Sequence, residues 1–310
     1  MLPSRLPLLA SLCLFSATIL TTPLAQSATF TFAPLNDPAG FNTEARGINA
    51  SGEIAGFYQT DTSCNETTFD VRYLPTCPKH GFTYLNGKYQ TFNFPGATST
   101  MINGLNDLGD LVGVYIKSDS SIHGFLRLHT GSLKTLDDPN GNGTIPMGVN
   151  KSLVVVGQEG GMSFRWSNGK FTLVNVVSGP GCGNCNGSSG IANNGMIAGF
   201  AFKNDFWVGY LVNGGDVDYF GHFNDGDSFT DAVNDNSDIV GYGGDKAYFG
   251  PGVEQGETSG AGEHEKYVDH IVFTYPGSGF TQPYGINDSR AIVGAYGDNS
   301  GVHGFLAMYQ

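Results

Sequence analysis

Basic residues are scarce in this 310-residue chain, with 15 Lys and Arg against 28 Asp and Glu and a formal charge of −13. Nucleic acid and anionic membrane surfaces both require clustered cationic side chains, so both are excluded as partners. Charge of either sign is low, at 14% of residues. Gly, Asn and Ser therefore dominate the polar surface, and the acidic excess reads as a solubility device. Long apolar runs are also missing. The one candidate, Leu8 to Leu20, is short of the ~20 residues that a membrane span needs. Arg5 precedes it and the small residues Ala25 and Ser27 follow, so residues 1–27 read as a secretory signal. Residues 28–310 are then expected to be a single exported domain, monomeric and without a membrane span. No segment keeps helical periodicity without Gly or Pro intruding. Nucleophile and metalloprotease signatures are absent too: there is no Gly-x-Ser-x-Gly elbow and no His-Glu-x-x-His.

What the chain has in place of these is a repeat. The pattern is Gly, apolar, Asn, two residues, usually Gly, one residue, two apolar residues, Gly. It runs from Gly47 to Gly56, Gly104 to Gly113, Gly148 to Gly157, Gly190 to Gly199, Ala232 to Gly241 and Gly285 to Gly294. The fourth copy has Ala192 where the others carry Asn49, Asn106, Asn150, Asn234 and Asn287. Successive copies start 57, 44, 42, 42 and 53 residues apart. A unit near ~42 residues with two insertions points to a propeller.

One unit divides into four short strands. Residues Met101 to Asn106, Leu111 to Tyr115, His123 to Leu128 and Leu133 to Leu136 are β-branched or apolar runs separated by turn chemistry. Asn86-Gly87, Asn168-Gly169 and Asn213-Gly214 mark the equivalent hairpin turn in other units. Phe305 to Tyr309 is a third strand with no fourth after it, and Thr29 to Phe32 is a fourth strand with no three before it. The fold expected is an all-β, six-bladed β-propeller whose last blade is closed by the N-terminal strand, leaving no open edge between the ends.

The wording of the motif, Gly-Ile-Asn-Asp-x-Gly-x-Ile-Val-Gly followed by His-Gly-Phe-Leu, resembles the bacterial extracellular HAF repeat. Residues 104–126 and 285–306 carry it best, and the resemblance covers nearly all of the mature chain. Ser163-Phe164 and Tyr248-Phe249 depart from the His-Gly-Phe signature. The resemblance implies export, repetition and β architecture, and it brings no catalytic residues with it.

Repeated residues read first as scaffold. Each motif Asn is expected to cap its own turn, as Asn side chains do. His80, His123 and His303 sit at equivalent places on different blades, so they are expected to bond neighbouring loops rather than share a metal. Four cysteines follow the leader. On a propeller two blades separate Cys64 and Cys77 from Cys182 and Cys185, which favours the pairs Cys64–Cys77 and Cys182–Cys185 over cross-pairing, a zinc site or a redox role.

Ligand residues are expected on the longer loops, those joining second to third strands and one blade to the next. The candidates there are His222, Asp225, Asp227 and Asp231. Carboxylates so spaced beside Gly have the oxygen chemistry for calcium, although a solvated Asp-Gly turn is the favoured account of them and the closing Glu of an EF-hand is missing. A second candidate cluster for a metal is Glu263, His264, Glu265, Asp269 and His270, in a Gly-rich acidic insertion whose face the sequence leaves open. The reading of function is a secreted, non-catalytic binding or surface module for an unidentified extracellular ligand, glycan or protein. No cofactor is required. The alternative is an extracellular hydrolase or lyase with its site on the long-loop face.

Overall fold

The computed structural model describes residues 29–64, 77–139, 143–179, 182, 185–220, 226–251, 263–266 (backbone only) and 270–310. The expected signal at 1–27 lies outside the described residues, as do His222, Asp225 and Asp269.

The chain opens with β1 (Phe30–Leu35) and then builds blades in sequence order. Blade 1 is β2 (Phe41–Ile48), β3 (Ile54–Gln59), β4 (Lys79–Leu85) and β5 (Lys88–Phe92). Blade 2 is β6 (Ser99–Leu105), β7 (Leu111–Ile116), β8 (Ile122–Arg127) and β9 (Leu133–Leu136). Blade 3 is β10 (Thr144–Val149), β11 (Val155–Glu159), β12 (Met162–Ser167) and β13 (Lys170–Leu173). Blade 4 is β14 (Asn186–Ile191), β15 (Ile197–Lys203), β16 (Phe206–Asn213) and β17 (Asp216–Phe220). Blade 5 starts with β18 (Ser228–Val233), β19 (Asp238–Gly243) and β20 (Lys246–Pro251). Next in the chain, β21 (Glu263–Lys266) joins blade 4, and β22 (Ile271–Phe273) completes blade 5. Blade 6 is β23 (Phe280–Ile286), β24 (Ala291–Asp298) and β25 (Gly301–Tyr309). The six sheets form a β-propeller with the first strand of each blade innermost.

The ring closes as the chain ends imply. Strand β1 is the outer strand of blade 6, antiparallel to β25, with Phe30 opposite Tyr309 and Thr31 opposite Met308. Its apolar face holds it there. Phe30 stacks on Phe273 of blade 5 with centroids 4.4 Å apart, and Phe32 meets Phe305 edge-on. The N-terminal strand thus bonds one blade and packs on its neighbour, which ties the circle at two places.

The insertion after β20 joins the third and fourth strands of blade 5, so it leaves from the face that carries the tight turns. Its backbone at 263–266 runs parallel to β17, with His264 opposite Asp218, as a fifth strand on blade 4. An unpaired outer edge on blade 4 supplies the hydrogen-bonding partners that draw it into the sheet.

Two disulfides bear out the pairing argument: Cys64–Cys77 and Cys182–Cys185, with Cα atoms 5.6 and 5.5 Å apart. No helix among the described residues is long and apolar enough to cross a membrane.

Candidate functional site

A β-bulge interrupts the pairing of the first two strands in every blade, always at the residue before the motif's first position. The register slips across Arg46, Asn103, Met147, Ser189, Asp231 and Tyr284. An extra residue re-aims its side chain. All six line one cavity on the propeller axis, of about 100 Å³. The motif's last glycine is what permits the bulge. A Cβ at Gly113 would run into the carbonyl oxygen of Met101, and one at Gly56 into that of Glu44. Opposite each of these glycines lies a buried third-strand ring: Phe82, Phe125, Phe164, Tyr210, Tyr248 or Phe305. The repeated residues therefore build the bulge, and the residue that the bulge presents differs in every blade.

The motif asparagines frame the cavity. Asn106 accepts from the backbone N–H of Leu108 and Asp110, capping its own turn as expected. Its Nδ2 also donates to the carbonyl of Asn150 in the next blade, at 3.1 Å. The same link runs from Asn49 to Asn106, from Asn150 to Ala192, from Asn234 to Asn287 and from Asn287 back to Asn49. Only the step from Ala192 to blade 5 lacks an amide at the motif position; there Asn194 donates to the Asp235 carbonyl, at 3.2 Å. The motif asparagines are buried and occupied, so they hold blades together rather than presenting free amides to the channel.

The next motif position forms the mouth. Backbone N–H groups of Ala50, Lys151 and Asp235 donate to the side chains of Asp107, Asn193 and Asp288 on the following blade. In blade 4, Asn193 extends over the mouth and donates to both Asp107 (2.8 Å) and Asp235 (3.1 Å).

The floor is buried and polar. Arg46 is 5% exposed; its guanidinium lies 3.6 Å from the Tyr284 ring centroid and 3.4 Å from the Glu44 carboxylate. Its Nε has no hydrogen-bond partner. Asn103, 4% exposed, donates its Nδ2 to the Pro146 carbonyl, which fixes the orientation of the amide. Its Oδ1 is left without a partner. Burial first, then the Glu44 carboxylate, pushes the Tyr284 phenol well above its ordinary range, so it stays protonated and donates to Gln282.

The sequence-derived candidates that fall among the described residues are spread over separate places. Asp231 lies on the cavity as the bulge residue of blade 5. Asp227 is exposed and accepts from the Trp207 backbone, away from the axis. His270 packs on Tyr248 and Phe220 between blades 4 and 5. Glu263, His264 and Glu265 are consecutive residues of β21. Among the described residues no group of three or more His, Cys, Asp or Glu side chains is arranged to hold a metal ion.

The His-Gly-Phe signature has a separate task on the long-loop face. His123 Nδ1 meets Asp137 at 2.7 Å and its Nε2 meets Ser121 Oγ at 2.9 Å, while its ring stacks on Tyr115. His80 does the same with Asn93, Thr60 and Tyr58, and His303 with Asn36, Ser300 and Tyr296. Each imidazole pins a hairpin loop to the connector that leads to or from its blade. Ser121 is not poised as a nucleophile, because its hydroxyl donates to Asp119 at 2.6 Å. That bond holds the Asp119 carboxyl below its ordinary range. Nearby, Glu159 of blade 3 is raised to about 7 by burial, by the charge of Asp138 and by a hydrogen bond to it.

Of the six bulge residues only Asp231 is among the sequence-derived candidates; the other five fall outside a reading that follows what repeats. The signal was present as a position that varies inside an otherwise constant frame.

Comparisons with known proteins support the fold and little more. No family model matches the chain, and no curated protein matches it. Among solved structures, a protein classed as a gluconolactonase candidate is similar at 12% identity, with 91% of this chain and 92% of that one covered and a TM-score of 0.50. The β-propeller domain of the Trilobed protease from Pyrococcus furiosus, described as having an open velcro topology, is similar at 10% identity over 87% of this chain and 83% of that one, with a TM-score of 0.48. At these identities the likeness is one of architecture, and the class defined by topology and site is a six-bladed propeller with an axial cavity.

Proposed function

We propose that this protein is an exported, monomeric propeller that binds a ligand in its axial cavity without turning it over. The observation that carries the reading is the ring of six bulges, which places six different side chains around one buried space. Scaffolding needs no such variety. The same residue would serve throughout, as the motif asparagine does in five blades and the motif's last glycine in all six. Export rests on the N-terminal apolar segment, the two disulfides and the resemblance to the HAF repeat. The cavity lies at the tight-turn end of the inner strands, opposite the long loops that the loop-length argument favours.

A non-catalytic role is supported by the chemistry of both faces. The Ser-His-Asp arrangement at Ser121 recurs with Thr60 or Ser300 and with Asn in place of Asp, which suits a structural clamp. Glu159 and Asp138 share a hydrogen bond, too close to flank a glycosidic bond, where paired carboxylates stand about 5 Å or more apart.

The test is a ligand screen by thermal shift over metabolite and glycan libraries, repeated on Ser189→Phe, which fills the cavity. Hits that vanish in the folded variant, with no product formed by the wild type, are expected. Hits that survive the plug, or turnover of any of them, would overturn the reading.

A further inference from the structure

Two of the side chains that line the cavity each carry a buried polar atom without a partner. Arg46 Nε is a donor without an acceptor and Asn103 Oδ1 an acceptor without a donor, on adjacent blades and both on side chains more than nine-tenths buried. A buried polar atom left in that state is destabilising until a partner reaches it. A ligand that satisfies both therefore gains more than one that satisfies either.

Charged ligands fail this requirement in opposite ways. A carboxylate would accept from Arg46 but offers no proton to Asn103, and a phosphate, even where it keeps an O–H, brings its charge as the carboxylate does against Asp107, Asp231, Asp235 and Asp288 around the same cavity. An ammonium would donate to Asn103 and to those carboxylates, but it would meet the Arg46 guanidinium on the floor. A neutral hydroxyl both donates and accepts. A polyol brings several such groups to one space, and the remaining ring positions continue the pattern. Ser189 has a hydroxyl of its own, Asp231 accepts, and Met147 supplies an apolar surface for C–H groups. The volume, about 100 Å³, has room for on the order of three waters' worth of ligand. That is a diol or hydroxymethyl end, not an extended chain.

We infer that the axial cavity takes the hydroxyl-bearing end of a small neutral polyol, the chemistry of a sugar, entering from the tight-turn face between Asp107, Asn193 and Asp235. This rests on the axial reading above. Entry requires Asn193 to release Asp107, because its amide spans the mouth. A free monosaccharide and the terminal residue of a glycan share this chemistry.

The experiment titrates the mature protein with methyl glycosides of glucose, galactose, mannose and fucose, with acetate and methylammonium as charged comparators, by calorimetry and saturation-transfer NMR. Wild type, Arg46→Met, Asn103→Leu and the conservative Arg46→Lys are compared, each checked for fold by circular dichroism. A neutral glycoside is expected to bind, to weaken at least tenfold in a folded Arg46→Met or Asn103→Leu protein, and to recover part of that loss in Arg46→Lys. Binding of the matching terminal oligosaccharide with equal or greater affinity assigns a glycan end; its exclusion assigns the free sugar. If only acetate or methylammonium binds, and the same variants abolish it, the polyol inference falls while the axial reading stands. If a probe binds and neither variant nor the Ser189→Phe plug changes its affinity, both fall. Absence of neutral glycoside binding to wild type overturns the inference directly.

Discussion

Asn287 donates its side-chain amide to the backbone carbonyl of Asn49 at 3.0 Å, joining the last blade to the first across 238 residues of sequence. Its Oδ1 accepts from Ser289 and Ala291 in its own turn. One side chain thus shapes a loop and closes the ring. Asn287→Ala leaves buried backbone groups unpaired on two blades, and we expect a loss of about 2–4 kcal/mol. Denaturant unfolding measures it. A loss below about 1 kcal/mol would mean that the amide ring is ornamental.

The converse change is available in blade 4. Ala192 stands where the ring lacks its amide. Ala192→Asn is expected to add the missing link to blade 5 and to raise stability by about 1 kcal/mol, the net worth of one hydrogen bond. A lowered melting temperature would show that Met196 and Leu211, which pack around Ala192, leave no space for it.

Glycines in this chain are not equivalent. Gly113→Ala drives a Cβ into the Met101 carbonyl and should collapse the bulge at Asn103, costing about 3 kcal/mol or more. Gly131, at φ +93 in an open turn with no atom near its would-be Cβ, carries only backbone strain. Gly131→Ala should cost about 1 kcal/mol. Parallel thermal melts check the order, and equal losses would remove the steric account of the motif.

Glu159 makes stability depend on pH. Its carboxyl sits at about 7 in the fold against an ordinary 4.5. Between those values the unfolded chain has released a proton that the folded chain keeps, so stability falls as pH rises through this window. Glu159→Gln mimics the protonated form. It should change nothing near about pH 4 and stabilise by about 1 kcal/mol near about pH 8, a figure reduced for the partial exposure of the group. Melting curves at the two pH values decide it, and a gain that does not depend on pH would refute the assignment.

Cys64 and Cys77 close a loop whose ends are 13 residues apart. Chain-entropy arguments give such a loop about 3 kcal/mol. Replacing both cysteines by Ala should lower denaturant stability by about 2–3 kcal/mol, and reductant should lower the wild type at least as far, since it also opens Cys182–Cys185. Insensitivity to reductant would place the stability of blade 1 elsewhere.

Much of the architecture could be read from residue order alone. Period, turn chemistry and the two incomplete ends led to six blades and to the strand that closes them, because hairpins are local and their signals are local. The disulfide pairs followed from the spacing of blades. The site was less legible. Asp227 and Asp231 are four residues apart and look like one cluster. A strand start separates them, however, and the bulge turns only Asp231 to the axis. The long loops drew attention by length, while the cavity lies among the shortest turns. The fifth strand at 263–266 had no signal, since its partner edge belongs to residues nearly fifty positions earlier.

By itself the sequence determined a repeating unit: which residues turn, which alternate, and where Gly and Asn must stand, all matters of backbone sterics within a few residues. Only the tertiary structure decided what Arg46, Asn103, Met147, Ser189, Asp231 and Tyr284 are for. They come from six distant segments, and they meet because a one-residue slip in each sheet, allowed by a glycine on the next strand, rotates them toward a common axis.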